Sequence, residues 1–367
     1  MKPDVVHLIK TIEVGGAENQ LLKLAGQQAR DRRVSVLYFD GIPTLETDLL
    51  NLGVEVVRMP PKLLSRIRLI NIKADSGAVI HTHLPHAELF CLFFLRNASR
   101  LVTTRHVAGP YSRRVPELIG SVLLNLVVAR SKHVIAISEV VKEDIRSKTR
   151  LFRTLWKKLY VIHYGFALQN SGNASHINKK KTLNKNKNKN KNKKIILGTI
   201  SRLEKQKNLD TLIYAIRLLN QNVELRIIGE GTQNNYLKSL VEKLELEKCV
   251  KFLGKTRQVN EFLDSLDIFV LSSKYEGFGI VLVEATSRGT PILTSDLPIC
   301  KEVLGSQGAI FFNPASSEDI AEKLNQAITE YPMQKYVWHA KEMISRFDEK
   351  TLILKTDQVY SNLTSNN

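Results

Sequence analysis

The chain has few cysteines and no long apolar run, and both absences narrow the class of protein. Its 367 residues include three cysteines, Cys91, Cys249 and Cys300, which are far apart and odd in number. This pattern predicts free thiols in a reducing compartment, the cytoplasm, rather than a disulfide framework. The longest apolar stretch, Leu118 to Ala129, is about half of the ~20 residues that span a bilayer. We therefore expect no membrane-spanning helix.

Acidic residues are scarce in one part of the chain, so the net charge of +18 is distributed unevenly. Residues 1–168 carry 25 Lys and Arg against 14 Asp and Glu, a net charge of +11. Residues 169–194 add nine lysines and no acid, whereas residues 195–367 carry 20 basic against 22 acidic residues. A basic first half predicts an anionic partner on that side of the protein.

Apolar residues almost disappear from Lys179 to Lys194, a repeat of lysine and asparagine. Such a segment cannot bury enough apolar surface to pack, so residues 169–194 are predicted to be a disordered linker between two domains. The segment also lacks aromatic residues on which bases could stack, and we expect no specific binding of nucleic acid.

The first half alternates short apolar strands with helical stretches. Val5 to Ile9 reads as a buried strand, Gly15 and Gly16 as a turn, and Glu18 to Ala29 as a helix. Further strands are predicted at Val34–Phe39, Val54–Val57, Val79–Thr82, Leu101–Thr104 and Val134–Ile137. This alternation predicts a parallel sheet covered by helices, with ligands at the carboxyl ends of the strands. The two glycines would let a phosphate approach the helix N-terminus, or serve only for packing.

Histidines follow two of these strands. His81, His83 and His86 could form a metal cluster, but no carboxylate or supporting pattern accompanies them, and we predict no metal site. His106 lies just beyond the next strand and is better placed for a polar contact with a ligand.

An amphipathic helix is predicted at Arg150 to Leu159. One face would carry Leu151, Phe152, Leu155, Trp156 and Leu159, and the opposite face Arg150, Arg153, Lys157 and Lys158. Packing against the core and lying on a membrane surface explain this pattern equally well.

The second half repeats the alternation of strands and helices. Strands are predicted at Ile195–Ile200, Leu225–Ile228, Val250–Leu253 and Ile268–Leu271, with helices at Leu209–Leu219, Tyr236–Leu244 and Val259–Leu266. Arg202 and Lys207 fall in the loop after the first of these strands. Two cations at the carboxyl end of a strand can neutralise a diphosphate, although each alone would be an ordinary surface charge.

The segment from Glu276 to Pro291 places two carboxylates, Glu276 and Glu284, eight positions apart. Glycines follow the first carboxylate, an apolar run from Ile280 opens a short helix, and Gly289 closes it. The helix N-terminus could bind a diphosphate and a carboxylate could bind a diol. An ordinary helix with two solvated glutamates would have the same spacing.

Together these residues resemble retaining glycosyltransferase family 4. The specific parts are the strand-flanked Gly15 to Glu18, Ser201-Arg-Leu with Lys207-Asn, and Glu276 to Pro291. The resemblance implies the α/β GT-B architecture, in which two Rossmann-like domains face each other across a cleft. Residues 1–168, with a C-terminal helix at about 350–367, would form the acceptor domain, and residues 195–349 the nucleotide-sugar domain.

The resemblance also implies roles for individual residues. Arg202 and Lys207 would bind the donor diphosphate, Glu284 the ribose, and Glu276 the donor sugar. Three further sets would line the donor site, namely the amides of Phe278, Gly279 and Ile280, the loop at Gly15 and Gly16, and His106 as a sugar contact. The catalytic set is therefore expected to be Glu276, His106, Lys207 and Arg202, without a metal or other cofactor.

The implied reaction moves a sugar from a nucleoside-diphosphate donor to an acceptor with retention of configuration. The expected acceptor is a lipid-linked or cell-envelope polysaccharide intermediate, and an anionic membrane surface is a further expected partner of a peripheral cytoplasmic enzyme. A GT-B epimerase acting on a nucleotide sugar is one alternative, and a non-catalytic nucleotide-sugar-binding protein is another. The sequence does not distinguish a UDP donor from a GDP donor.

Overall fold

A computed structural model describes residues 2–109, 111, 115–168, 194–219, 221–256, 258–330 and 333–364. The chain divides into two compact units, Met1–Ala167 with Phe347–Asn367, and Leu168–Arg346. The predicted linker at 169–194 lies outside the described residues except for Lys194.

The first unit is built on a parallel sheet of seven strands in the order β3-β2-β1-β4-β5-β6-β7. The strands are β1 (Val5–Ile9), β2 (Val34–Tyr38), β3 (Glu55–Arg58), β4 (Val79–His83), β5 (Leu101–Arg105), β6 (His133–Ala136) and β7 (Leu159–Val161). Every residue of β1, β2, β4, β5 and β6 is buried. Strands buried on both faces are typical of a sheet that lies between two layers of helices.

Helices cover this sheet, and the last of them comes from the C-terminus of the chain. They are α1 (Gly16–Gln28), α2 (Glu46–Asn51), α3 (Leu63–Asp75), α4 (Leu84–Phe94), α5 (Glu117–Arg130), α6 (Glu139–Lys148) and α14 (Glu349–Thr364). Val359, Tyr360 and Leu363 of α14 are buried in one apolar cluster with Val5 of β1 and Leu24 of α1. The C-terminal segment is therefore part of the core of the first unit.

The predicted amphipathic helix at Arg150 to Leu159 is wrong in its geometry. Arg150–Lys158 forms a 3₁₀ helix that is interrupted at Phe152, where the backbone angles are −123° and 56°. Side chains spaced for a 3.6-residue turn do not share one face of a 3₁₀ helix, which has three residues per turn. Phe152 is accordingly exposed, whereas Leu155 and Trp156 are half-buried.

The second unit contains a parallel sheet of six strands in the order β10-β9-β8-β11-β12-β13. Its strands are β8 (Ile195–Ile200), β9 (Val223–Ile228), β10 (Val250–Gly254), β11 (Ile268–Leu271), β12 (Ile292–Ser295) and β13 (Ile310–Phe312). Its helices are α7 (Leu209–Arg217), α8 (Asn234–Lys243), α9 (Val259–Ser265), α10 (Ile280–Ser287), α11 (Pro298–Leu304), α12 (Ser317–Thr329) and α13 (Gln334–Ile344). Loops that leave β8 and β11 at their carboxyl ends carry the candidate site.

Candidate active site

The loop after β8 is held in place by backbone contacts with the loop after β9. Leu203 N–H donates to the carbonyl of Glu230 at 2.9 Å. A Cβ atom at Gly229 would collide with the Ser201 carbonyl, and one at Gly231 would collide with the Leu203 carbonyl. Only glycine permits this close approach at both positions. The fixed loop presents the exposed side chain of Arg202 at the carboxyl end of β8.

Lys207 and Glu276 form an ion pair in the second unit, with Lys207 Nζ 2.5 Å from Glu276 Oε1. The Ser273 hydroxyl donates to the same carboxylate oxygen at 2.6 Å. The two charged side chains are 14% and 9% exposed, so most of the pair is shielded from water. The structure therefore joins two of the predicted site residues that are 69 positions apart in the sequence.

Further hydrogen bonds connect the loops that carry this pair. The Ser272 hydroxyl donates to the Lys207 carbonyl at 2.9 Å, and Lys274 N–H donates to the Gln206 carbonyl at 2.9 Å. Gln206 Nε2 donates in return to the carbonyl of Tyr275 at 2.8 Å. The position of Lys207 is thus set by the loop after β11 as well as by its own loop.

Helix α10 begins at Ile280, directly after a glycine-rich turn, and its N-cap Gly279 lies in the left-handed region at φ 80°. Phe278 and Gly279 are buried, and Ile280 is half-buried. The Leu282 N–H donates to the Gly279 carbonyl at 2.8 Å. The first N–H groups of a helix carry its positive end, so this is a favourable place for an anion. Glu284 lies in the same helix and is half-buried.

In the first unit, Gly15 is the N-cap of α1 in an extended conformation, and Gly16 is the first helical residue. A Cβ atom at Gly15 would collide with the carboxylate of Glu18, so that carboxylate lies against the glycine. A phosphate bound at Gly15 and Gly16, as predicted, would therefore lie beside the negative charge of Glu18.

His106 lies directly after β5 and is buried. Its Nδ1 is 2.6 Å from the Tyr164 hydroxyl, and its Nε2 is 3.1 Å from Nδ1 of His83. Burial lowers the pKa of His106 to about 3, and the neighbouring Arg105 contributes to the decrease. The imidazole is thus neutral near pH 7, and protein groups occupy both of its ring nitrogens.

The histidines that lie close enough together to share a metal ion are not the set considered from the sequence, which was His81, His83 and His86. Ligand atoms of His7, His81 and His83 lie within 4.8 Å of one another, whereas His86 packs edge-on against Phe39. Both ring nitrogens of His81 already have partners, the Tyr360 hydroxyl and the Thr104 hydroxyl, each at 2.6 Å. Sequence reasoning missed His7 because it lies inside an apolar strand.

A buried ion pair beside His106 was also missed. Arg105 Nη1 donates to Glu88 Oε2 at 3.0 Å, and the Tyr111 hydroxyl donates to the same oxygen at 2.8 Å. The guanidinium lies over the Tyr111 ring, 4.8 Å from its centre. A glutamate inside the apolar helix α4 was the available signal, because a carboxylate in such a setting is normally paired.

Two family models match the chain and together cover most of it. A model described as Glycosyltransferase Family 4 matches residues 14–170. A model described as Glycosyl transferases group 1 matches residues 180–342. The two matched segments follow the division of the chain into its two units.

Curated relatives match parts of the chain. An uncharacterized glycosyltransferase of Methanocaldococcus jannaschii, MJ1607, is 27% identical over 63% of this chain and 60% of its own length. The O-antigen biosynthesis glycosyltransferase WclY of Escherichia coli is 27% identical over 46% of this chain and 47% of its own. The chain thus spans less than two thirds of the length of these relatives.

A solved structure matches nearly the whole chain. The Anabaena protein HepE, crystallised in complex with UDP and glucose, has a TM-score of 0.80 at 22% identity. The match covers 98% of this chain and all of HepE. The predicted fold class, two Rossmann-like domains of the GT-B type, is confirmed.

Proposed function

The chain belongs to glycosyltransferase family 4, and on this premise we propose that it transfers a sugar, with retention of configuration, from a nucleoside-diphosphate sugar to an envelope polysaccharide or lipid-linked acceptor. The observation that carries the proposal is the Lys207–Glu276 pair in the second unit. A cation for the diphosphate and a carboxylate for the sugar are in direct contact there. The complex of HepE with UDP and glucose supports a nucleoside-diphosphate hexose as the donor.

Charge stabilisation of the leaving diphosphate is the main catalytic contribution in this proposal. As the glycosidic bond breaks, negative charge builds up on the diphosphate, and preorganised donors stabilise it without reorganisation. Arg202 and Lys207 supply two positive charges, and the first turn of α10 supplies backbone N–H groups. These groups take the place of a metal ion, so the proposed reaction needs no metal or other cofactor.

Retention follows in this proposal from attack of the acceptor on the face from which the diphosphate departs. The leaving diphosphate accepts the proton of the acceptor hydroxyl, so the reaction does not need the paired carboxylates of retaining hydrolases. In this proposal Glu276 holds the donor sugar, Glu284 binds the ribose, and His106 is a further sugar contact.

A donor panel tests this function directly. The protein is incubated with UDP-, GDP- and ADP-hexoses, in the presence and absence of detergent-extracted envelope glycolipids, and release of the nucleoside diphosphate is measured. We expect release with one nucleotide class, stimulated by glycolipid, and an unchanged rate in EDTA. Interconversion of nucleotide sugars without release would instead support an epimerase. Tight nucleotide-sugar binding without turnover on any glycolipid would support a binding protein.

We further propose that the enzyme works on an anionic membrane surface, where a lipid-linked acceptor would be found. No helix among the described residues is long and apolar enough to cross a bilayer. Helix α5 nevertheless exposes Leu118, Val122 and Leu126, which are 79%, 53% and 48% accessible and recur every fourth position on one face. An exposed apolar face of this kind is typical of a surface that contacts lipid or protein.

The same unit also exposes basic residues, which an anionic surface attracts. Lys62, Arg68, Arg150, Arg153 and Lys157 are exposed. Arg66 is not available in the same way, because its Nε donates to the Pro60 carbonyl at 2.6 Å and its guanidinium lies over Phe39. Two further basic residues of this unit, Arg113 and Arg114, lie outside the described residues. Each basic residue close to an anionic bilayer contributes roughly 1 kcal/mol to binding.

Liposome sedimentation with a matched pair of variants tests the membrane proposal. Leu118→Asp changes the α5 face, and Leu354→Asp changes a 61% exposed leucine on α14 as the control. We expect binding to vesicles that contain phosphatidylglycerol, a decrease with salt, and a loss in Leu118→Asp alone. Equal binding to phosphatidylcholine vesicles, or equal losses in both variants, would contradict the proposed surface.

A further inference from the structure

Five buried side chains form one continuous line of hydrogen bonds through the first unit. Gln28 Oε1 is 2.9 Å from His7 Nε2, and His7 Nδ1 is 3.0 Å from His83 Nε2. His83 Nδ1 is 3.1 Å from His106 Nε2, and His106 Nδ1 is 2.6 Å from the Tyr164 hydroxyl. The line joins α1, β1, β4, the residue after β5 and the segment after β7.

The chemistry at the Gln28 end gives this line a direction. An amide oxygen can only accept a hydrogen bond, so His7 Nε2 must carry the proton. A neutral His7 then has a bare Nδ1, which accepts from His83 Nε2–H, and His83 Nδ1 in turn accepts from His106 Nε2–H. His106 Nδ1 is left as an acceptor for the Tyr164 O–H. Each imidazole N–H in the line, and the phenol O–H at its end, therefore meets an acceptor.

The surroundings keep all members of the line in the required protonation states. Burial lowers the pKa of His7 to about 4 and that of His83 well below its ordinary value. Burial, reinforced by the charge of Glu18, raises the pKa of Tyr164 far above its ordinary value, so the phenol keeps its proton. Three neutral imidazoles and one neutral phenol remain at pH 7.

Binding of a metal ion to these histidines would replace hydrogen bonds that they already make. His7 and His83 use their facing nitrogens for the hydrogen bond between them, and a metal placed there would have to replace it. His81 would also have to give up the hydroxyl of Tyr360 or Thr104. Because no carboxylate is among the grouped ligands, nothing within that group would offset the charge of the ion.

We infer that Gln28, His7 and His83 are positioning residues that hold His106 in the neutral Nε2–H tautomer, with Nδ1 fixed as a hydrogen-bond acceptor. A sugar that contacts Nδ1 must then present a hydroxyl as a donor, in place of the Tyr164 hydroxyl. The consequence for sugar binding rests on the proposed function. The tautomer itself does not.

Imidazole nitrogen NMR of the full chain, labelled with ¹⁵N-histidine, measures the tautomer without any substrate. The His106 signals are assigned by their loss in His106→Gln. We expect the neutral Nε2–H form at pH 7 in the unaltered protein. Gln28→Met is close in size and removes the acceptor that sets the direction, so His106 should shift towards a mixture with the Nδ1–H form. A Gln28 amide turned round to donate would give the Nδ1–H form in the unaltered protein and would overturn the inference.

Gln20→Met provides the matched control. Gln20 is a second buried glutamine of α1, and its Oε1 accepts from the Gly165 N–H at 3.1 Å rather than from an imidazole. We expect this variant to leave the His106 tautomer unchanged and Gln28→Met to change it, although both changes lie on the same helix. The same tautomer in all three proteins would refute the positioning role, as would binding of Co²⁺ to the unaltered protein that is lost in His81→Gln.

An activity measurement extends the test to sugar binding. If the proposed function holds, Gln28→Met should lower kcat/KM for the donor by roughly tenfold, the effect of weakening one hydrogen bond to the substrate. Gln20→Met should not. A changed tautomer with unchanged kcat/KM would overturn the sugar contact of His106. Absence of transfer in every protein would count against the proposed function and leave the tautomer result intact.

Discussion

The candidate site residues of the two units differ in charge and in burial. In the first unit, His7, His83 and His106 are buried, neutral and bonded to one another. In the second unit, Lys207 and Glu276 are charged and partly open to water, and Arg202 is exposed. A neutral network with fixed tautomers can require a hydroxyl group to act as the hydrogen-bond donor, whereas a charged site can stabilise a diphosphate. The two units thus differ in the chemistry that each can recognise.

Acid should destabilise the first unit, and we expect this to be the largest effect. Each buried histidine has a pKa in the folded state below its unfolded value of about 6.5, so the unfolded chain binds more protons. Their contribution to stability is complete above pH 6.5 and is lost as the pH falls towards the folded values, about 4 for His7 and about 3 for His106. The expected loss is about 1.4 kcal/mol per pH unit for each such histidine.

Urea unfolding at several values between about pH 7.5 and about pH 5 measures this dependence. His7→Gln should reduce the slope of unfolding free energy against pH by the equivalent of one proton. Its loss of stability at the highest pH reports only the broken hydrogen bonds and serves as the baseline. Parallel slopes for the two proteins would show that His7 binds its proton at the same pH in the folded and unfolded states, so that folding does not lower its pKa.

Most of the described strands were predicted from the sequence because their signal is local, whereas β7, β12 and β13 were not predicted. β1 and β11 have the predicted bounds, Val5–Ile9 and Ile268–Leu271. Helix α10 starts at the predicted Ile280, where the apolar run begins. Helix α1 begins at Gly16, two residues before the predicted Glu18, because its N-terminal glycine gives no helical signal.

The contacts of the site were not predictable, since they depend on tertiary structure. Lys207 was expected to offer its charge to a ligand, and the sequence contains no sign that Glu276 neutralises it in part. His7 reads as one polar residue in a buried strand, and only the register of β1 against β4 places it beside His81. The Glu88–Arg105 pair likewise joins a helix to a strand, with no common motif to connect them.

Removing the cations of the second unit should lower turnover. Lys207→Met and Arg202→Met each remove a positive charge that we place on the leaving diphosphate. We expect turnover at saturating donor to fall by roughly 100-fold or more in each, the usual effect of losing one transition-state donor. Lys205→Met is the matched control, because Lys205 is an exposed lysine in the same 3₁₀ turn. Near-normal turnover of Lys207→Met and Arg202→Met would move the phosphate site elsewhere.

A smaller effect is expected at the ribose. Glu284→Gln replaces a charged acceptor with a neutral one of the same shape and should weaken nucleoside-diphosphate binding roughly tenfold, as measured by calorimetry. The dideoxynucleotide should bind almost equally to both proteins, because it lacks the hydroxyls in question. Glu322→Gln, at a carboxylate that is 73% exposed on α12, is the control. A tenfold loss for the dideoxynucleotide as well would assign Glu284 to another part of the donor.

The smallest effect is expected when the negative partner of Lys207 is removed and both cations are kept. Glu276→Gln keeps the shape of the side chain and releases Lys207 from its negative partner. The free nucleoside diphosphate should then bind roughly threefold to fivefold more tightly, which corresponds to less than about 1 kcal/mol of recovered attraction at a partly solvated site. Turnover should fall in the same variant, since the proposed sugar contact is weakened. Tighter product binding with slower transfer is a combination that general damage to the fold does not produce. Weaker binding of the nucleoside diphosphate would show that Glu276 mainly orients Lys207 towards the phosphates rather than competing with them.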